Sequence, residues 1–212
     1  MSEQLPGGIQ LSPAEIEALG ARWSSCWTPS DVAHHLTGIA TPWFVAAGWA
    51  LDLFRGRQTR EHGDIEIAIP AARFPEVRDR FLGYVFDAVS SGRIWENATL
   101  DVLAATHQTW LRDPATDNYL LDVFREPHDG DTWICRRDET IRLPYSDIIH
   151  QTQDGIPYLA PELVLLFKAK HVRPKDQADF DETVPHMTPA QRETLAELLD
   201  RAHPEHHWLA DL

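Results

Sequence analysis

Two carboxylates alternate with isoleucine at Asp64-Ile65-Glu66, directly ahead of the apolar run Ile67-Ala68-Ile69. On a β-strand, residues i and i+2 project to one face, so Asp64 and Glu66 sit side by side while Ile65 turns away. Neighbouring carboxylates repel, each raising the cost of ionising the other, unless a cation neutralises the pair. Hard oxygen ligands favour magnesium or manganese, which take one or two protein carboxylates and complete their shell with water and substrate phosphate. Asp-x-Glu alone more often marks a solvated strand face. Its neighbours decide between the two readings.

Asp122 is the third acidic candidate, because it interrupts the apolar run Tyr119-Leu120-Leu121-Asp122-Val123-Phe124, where an unpaired charge is expensive to bury. If that strand lies beside residues 65–69, the three carboxylates can frame two metal ions. Asp122 is then also placed to accept the proton of an attacking hydroxyl.

The rest of the chain predicts an α/β (α+β) fold: a mixed, twisted sheet flanked by helices, with a mostly helical C-terminal part. Ser12-Pro13-Ala14-Glu15 is a capping box with proline at the first helical position, and apolar Ile16, Leu19 and Trp23 extend a helix over about residues 12–26. A second helix is expected over residues 31–36. Strand signals follow at residues 43–47, 65–69 and 119–124, expected as neighbours in one sheet, with helices over 49–54 and 74–82. Hairpins are expected over 132–143 and 148–159. Residues 160–167 read as helix, and Thr188-Pro189-Ala190-Gln191 opens another to about residue 201. This change of periodicity sets an expected catalytic domain at 1–158, with helices in 10–40 packed on it, and a helical region at 159–212.

Composition narrows the function classes. A formal charge of -14 over 212 residues repels a phosphate backbone, which makes nucleic acid an unlikely partner, and suits a cationic substrate better. No segment approaches the ~18 apolar residues of a membrane span. Residues 1–8 lack the basic and apolar parts of a leader, so a cytoplasmic protein is expected. Cys26 and Cys135 are read as buried thiols without a disulfide. Eleven histidines invite a zinc reading, most of all His203-Pro204-Glu205-His206-His207. Pro204 breaks the helix that would align such ligands, so this segment is expected to be a solvent-exposed tail. Trp95, Trp110 and Trp133 are better explained by core packing than by substrate stacking.

The run from Ala46 to Glu66 places a strand, a Gly48-Trp49 turn, a short helix through Asp52, then Gly56-Arg57, Arg60 and His62 ahead of the acidic strand. This order closely resembles the active-site segment of the aminoglycoside 2''-adenylyltransferase and lincosamide nucleotidyltransferase group of the polymerase-beta-like superfamily. The resemblance implies a magnesium-dependent nucleotidyltransferase fold with two metal ions. In it, Asp64, Glu66 and Asp122 form the metal-binding and catalytic triad, and Gly48 and Trp49 lie against the triphosphate. Lys168 and Lys170 resemble the family's basic C-terminal segment and are candidate triphosphate contacts, with a solvated helix end carrying ion pairs as the alternative. Arg60 and His62 are read as structural support, with phosphate contact as the alternative. The implied reaction moves a nucleoside monophosphate from a nucleoside triphosphate, ATP favoured, to a hydroxyl of a small molecule such as an aminoglycoside- or lincosamide-like antibiotic.

Two positions depart from the family pattern: Ala47 stands where many relatives have glycine, and Glu66 where many have aspartate. These departures keep a catalytically silent nucleotide-binding protein open as an alternative, beside a nucleotidyltransferase acting on tRNA or protein. Residues 1–40 and 85–115 match no family pattern and are expected to shape the acceptor pocket.

Overall fold

The computed structural model describes residue 5 and residues 7–212. Positions 1–4 and 6, part of the segment read above for a leader, lie outside the described residues. The chain resolves into two compact units, one formed by residues 1–43 and 62–127, the other by residues 44–61 and 128–212. The boundary expected at residue 158 follows periodicity, whereas these units follow contacts in the fold.

The first unit is built on a mixed sheet. Its strands run in the spatial order Ile9–Gln10, Arg93–Trp95, Val85–Ser90, Gln108–Arg112, Tyr119–Glu126 and Glu66–Pro70. Every pairing is antiparallel except the last, where Glu66–Pro70 runs parallel to Tyr119–Glu126. The expected adjacency of the two acidic strands is therefore present. Ile65, Ile67, Leu121 and Val123 are fully buried on the opposite face from the carboxylates, as two-residue alternation requires.

The first helix is shorter than its periodicity predicts. The Ser12 hydroxyl and Glu15 carboxylate form the capping box, but the helix stops at Ala21 and buries none of its residues. Gly20 weakens the last turn, and the chain then bends so that Trp23 can pack with Ile94 and Tyr119. The Tyr119 amide donates to the Arg22 carbonyl and the Trp27 amide to the Leu120 carbonyl, which ties residues 22–27 along the acidic strand. The second helix, Pro29–His35, starts ahead of the expected residue 31. Thr28-Pro29-Ser30-Asp31 is itself a capping box, with Asp31 reaching back to the Thr28 amide.

In the second unit the expected strand over 43–47 is cut to Phe44–Val45, and the following helix begins at once, Ala47–Arg55. That helix packs on Pro161–Lys168, which packs in turn on Pro189–Ala202. Both expected hairpins form, Thr132–Ile134 with Arg142–Pro144 and Ile149–Gln151 with Pro157–Leu159. The C-terminal segment corrects an expectation: it is no solvated tail. Trp208 is fully buried, stacks on Phe180 at 4.3 Å, and donates its indole N–H to the Gln177 side-chain oxygen at 2.7 Å. A large aromatic with one polar handle draws the end of the chain down, and His206 follows it to the Ala169 carbonyl at 3.1 Å. Trp133 is core, edge-on to Phe167. Among the described residues no helix is long and apolar enough to cross a membrane.

Candidate active site

One row of paired residues crosses the sheet of the first unit. Asp87 pairs with Trp110, Trp110 with Asp122, and Asp122 with Glu66, so all four project to the same face. Asp64 lies two positions ahead of Glu66, just outside the strand, and its charge reaches Asp122. The strand backbones thus deliver the three sequence-predicted carboxylates to one neighbourhood, and the Asp122 amide donates to the Ile65 carbonyl between them at 2.9 Å.

Asp122 is the most unusual of the three. It is 3% exposed. Its Oδ2 accepts hydrogen bonds from the Gln108 side-chain amide and from the Trp110 indole, the latter at 3.1 Å. Its Oδ1 is buried and accepts no hydrogen bond from any described residue. Burial pushes this carboxyl up to about 8, and the charge of Asp64 adds to the rise against the two hydrogen bonds. Asp64 and Glu66 are half-buried. Cys26, expected to be buried, is half-buried instead. Burial and the charges of Asp64 and Glu66 push its thiol up, which places it near the acidic face.

An unsatisfied carboxylate oxygen with a second carboxylate beside it suits a hard divalent cation, which supplies the missing positive charge. Among the described residues no group of three or more His, Cys, Asp and Glu side chains is arranged to hold a metal. Magnesium does not need such a cage, since one or two carboxylates with water and phosphate suffice.

The remaining candidates divide by unit. His62 lies half-buried in the first, ahead of the acidic strand. Gly48, Trp49, Arg60, Lys168 and Lys170 belong to the second. Gly48 is buried and Trp49 half-buried near the start of the Ala47–Arg55 helix. Arg60 grips Asp179 with Nε at 3.2 Å and Nη2 at 3.3 Å. The Lys168 ammonium lies 3.0 Å from Asp176 and 2.8 Å from Asp179, with only 8% of its side chain exposed. Lys170 is exposed.

Sequence reading missed Gln108, and it weighed Trp110 as core packing or substrate stacking but not as a donor to Asp122. The signal was present: in Gln108-Thr109-Trp110-Leu111-Arg112, buried Thr109 and Leu111 alternate with half-buried Gln108, Trp110 and Arg112, the mark of a strand with one polar face.

Residues 30–101 match the family model described as aminoglycoside-2''-adenylyltransferase. The match contains Gly48, Trp49, Arg60, His62, Asp64 and Glu66 and stops before Asp122. Among solved structures, the lincosamide antibiotic adenylyltransferase LnuA in its lincomycin-bound form aligns with a TM-score of 0.50 at 18% identity, covering 84% of this chain and all (100%) of that one. The antibiotic-resistance factor ANT(2'')-Ia in solution aligns with a TM-score of 0.48 at 16% identity, covering 90% of this chain and 94% of that chain. No curated protein matches the sequence. By its family match over residues 30–101 and by its fold, the chain resembles the antibiotic nucleotidyltransferases.

Proposed function

We propose that this protein is a nucleotidyltransferase that moves a nucleoside monophosphate from a nucleoside triphosphate, ATP by preference, to a hydroxyl of a small molecule. The observation that carries the proposal is the buried Oδ1 of Asp122, which accepts no hydrogen bond from any described residue and lies beside Asp64; the resemblance reads this neighbourhood as the reacting centre. In the reaction, an acceptor oxygen bonds to the α-phosphorus, the bond from that phosphorus to the bridging oxygen breaks, and pyrophosphate leaves. Asp122 Oδ1 takes the hydroxyl proton, and Gln108 and Trp110 keep the carboxylate oriented.

Asp64 and Asp122, with Glu66 opposite Asp122 in the sheet, are the residues that would hold magnesium. Bound there, the metal supplies charge neutralisation for the phosphate oxygens. Roles for Gly48, Trp49, His62 and Lys170 in nucleotide binding rest on the resemblance alone. The formal charge of -14 favours a cationic acceptor, and the aminoglycoside name of the matching family points the same way.

The experiment is incubation with an NTP panel, magnesium, and aminoglycosides and lincosamides, followed by mass spectrometry of products and a pyrophosphate assay, with Asp64→Asn as control. Adducts with ATP that vanish in the variant support the proposal. Absence of pyrophosphate with every acceptor counts against it. One observation favours a silent nucleotide-binding protein: Ala47, where relatives carry glycine, holds φ +50° at the start of the helix that carries Gly48. Stabilisation by ATP and magnesium with no pyrophosphate under any condition would select that reading.

A further inference from the structure

Asp122 is held by two neighbours that neither the family match nor the sequence motif includes. Trp110 sits directly opposite Asp122 in the antiparallel pair, and Gln108 is the diagonal neighbour two residues away on the same face. Both donate to the same oxygen, Oδ2, and neither bonds Oδ1. An indole N–H can only donate, so Trp110 contributes a fixed donor that no rotation turns into an acceptor.

The indole is itself immobilised. Trp23 packs edge-on against it at 5.5 Å and 87°, and Tyr119 at 4.9 Å and 63°. Phenylalanine keeps an aromatic ring in that packing, and what tryptophan adds besides its larger ring is the N–H aimed at Asp122. Two converging donors stop the carboxylate from rotating about its terminal bond and single out which oxygen faces outward.

We propose that Gln108 and Trp110 are positioning residues that act through Asp122, locking Oδ2 so that Oδ1 alone is presented to the metal and the acceptor hydroxyl. The inference rests on the reading of Asp122 as a metal-binding carboxylate. It also gives residues 85–115 a defined role, since the Gln108–Arg112 strand carries the clamp. Partners that orient a ligating carboxylate typically contribute about 10–100-fold to metal affinity or activity.

The test uses the full chain and Mn²⁺ as the probe, because its loss from solution is read directly by electron paramagnetic resonance. Gln108→Met removes one donor while keeping the bulk, Trp110→Phe removes the other while keeping an aromatic ring, and melting temperatures establish that both variants fold. Each is expected to weaken Mn²⁺ binding by about 10-fold or more. In an Asp122→Asn background the same substitutions should change the remaining affinity by less than ~2-fold, because their route of action is gone. Where turnover is measurable, kcat should fall with little change in KM for ATP. Wild-type Mn²⁺ affinity in folded Trp110→Phe and Gln108→Met, with Asp122→Asn impaired, would overturn the positioning role and leave the functional reading intact. Wild-type affinity in Asp122→Asn itself would overturn both.

Discussion

Asp87 and Asp122 project to the same face of the sheet in one transverse row, separated by Trp110, and only Asp87 has both oxygens satisfied. Asp87 is fully buried and accepts from Arg112 Nε at 2.7 Å and Nη2 at 3.2 Å, from the Tyr119 hydroxyl at 3.2 Å, and from the Asn97 amide at 2.7 Å. A structural carboxylate in this sheet thus comes with its own cation and a full set of donors. Asp122, 3% exposed, has two donors on one oxygen and, among the described residues, no cation within ion-pair distance. The contrast separates a residue that holds the fold from one available to a ligand.

That difference fixes the behaviour of Asp122 without metal. Its folded-state carboxyl is raised to about 8, so it keeps its proton in the folded protein at pH values where the unfolded chain has released it. The associated stability is fully present below the unfolded value and is lost as pH rises through 8, with a slope of at most ~1.4 kcal/mol per pH unit. Urea unfolding in a chelator should show wild-type stability falling between pH 5 and pH 8 relative to Asp122→Asn. Added magnesium should raise the wild-type midpoint more than that of the variant. Parallel pH profiles for the two proteins would refute the buried, unpaired state of Asp122.

Removing the cation from Asp87 should be costly. Arg112→Leu leaves a carboxylate with 0% exposure without its cation, keeping the Tyr119 hydroxyl and the Asn97 amide as donors, a change that typically destabilises by about 3–5 kcal/mol. Asp87→Asn on top of Arg112→Leu should recover part of the loss, because the stranded charge is gone. Chemical denaturation of the two variants checks this. A double variant less stable than the single one would show that the arginine acts through packing and not through charge.

Ala47 carries φ +50°, in the left-handed region that a Cβ disfavours by roughly 1–2 kcal/mol. Ala47→Gly should therefore stabilise the protein by about 1 kcal/mol even though glycine has more freedom to lose on folding. Ala47→Val should destabilise, since a branched side chain tolerates this conformation least. Differential scanning calorimetry reads both, and an unchanged or lower melting temperature in Ala47→Gly would contradict the strained backbone.

Much of this was legible in the sequence for reasons specific to each residue. Asp64 and Glu66 declared themselves a pair through the period of a strand, and Asp122 stood out as a charge in an apolar run. Ser12 and Thr188 announced their helices because capping is local chemistry. Pairing was less accessible. That the Gln108–Arg112 strand lies against Tyr119–Glu126 depends on long-range contacts, so the donors on Asp122 emerged only from the fold. Lys168 shows the same limit: its basic character was visible, but the two carboxylates that engage it approach through helix packing. Trp208 was overlooked because histidines and a proline around it read as solvated, whereas one indole was enough to dock the segment.

Lys168 yields the last prediction. Its ammonium joins Asp176 and Asp179, whose side chains are 1% and 3% exposed, and Arg173 and Arg60 complete the cluster at 2.6 Å and 3.2 Å respectively. Burial raises both carboxyls, but hydrogen bonds from Arg173 and Lys168 to Asp176, and from Arg60 and Lys168 to Asp179, outweigh it and hold both below the usual aspartate range. A depressed folded-state value contributes stability that is complete above the unfolded value near 4 and is lost as pH falls through the folded one. Wild-type protein should lose stability steeply below pH 4, and Lys168→Met should be weaker by about 3–5 kcal/mol at pH 7 with a shallower acid limb. Guanidinium unfolding from pH 3 to pH 7 measures both. A Lys168→Met protein of wild-type stability would leave the lysine available to phosphate. The expected loss, seen without any nucleotide present, would establish that its first duty is to bind these helices together.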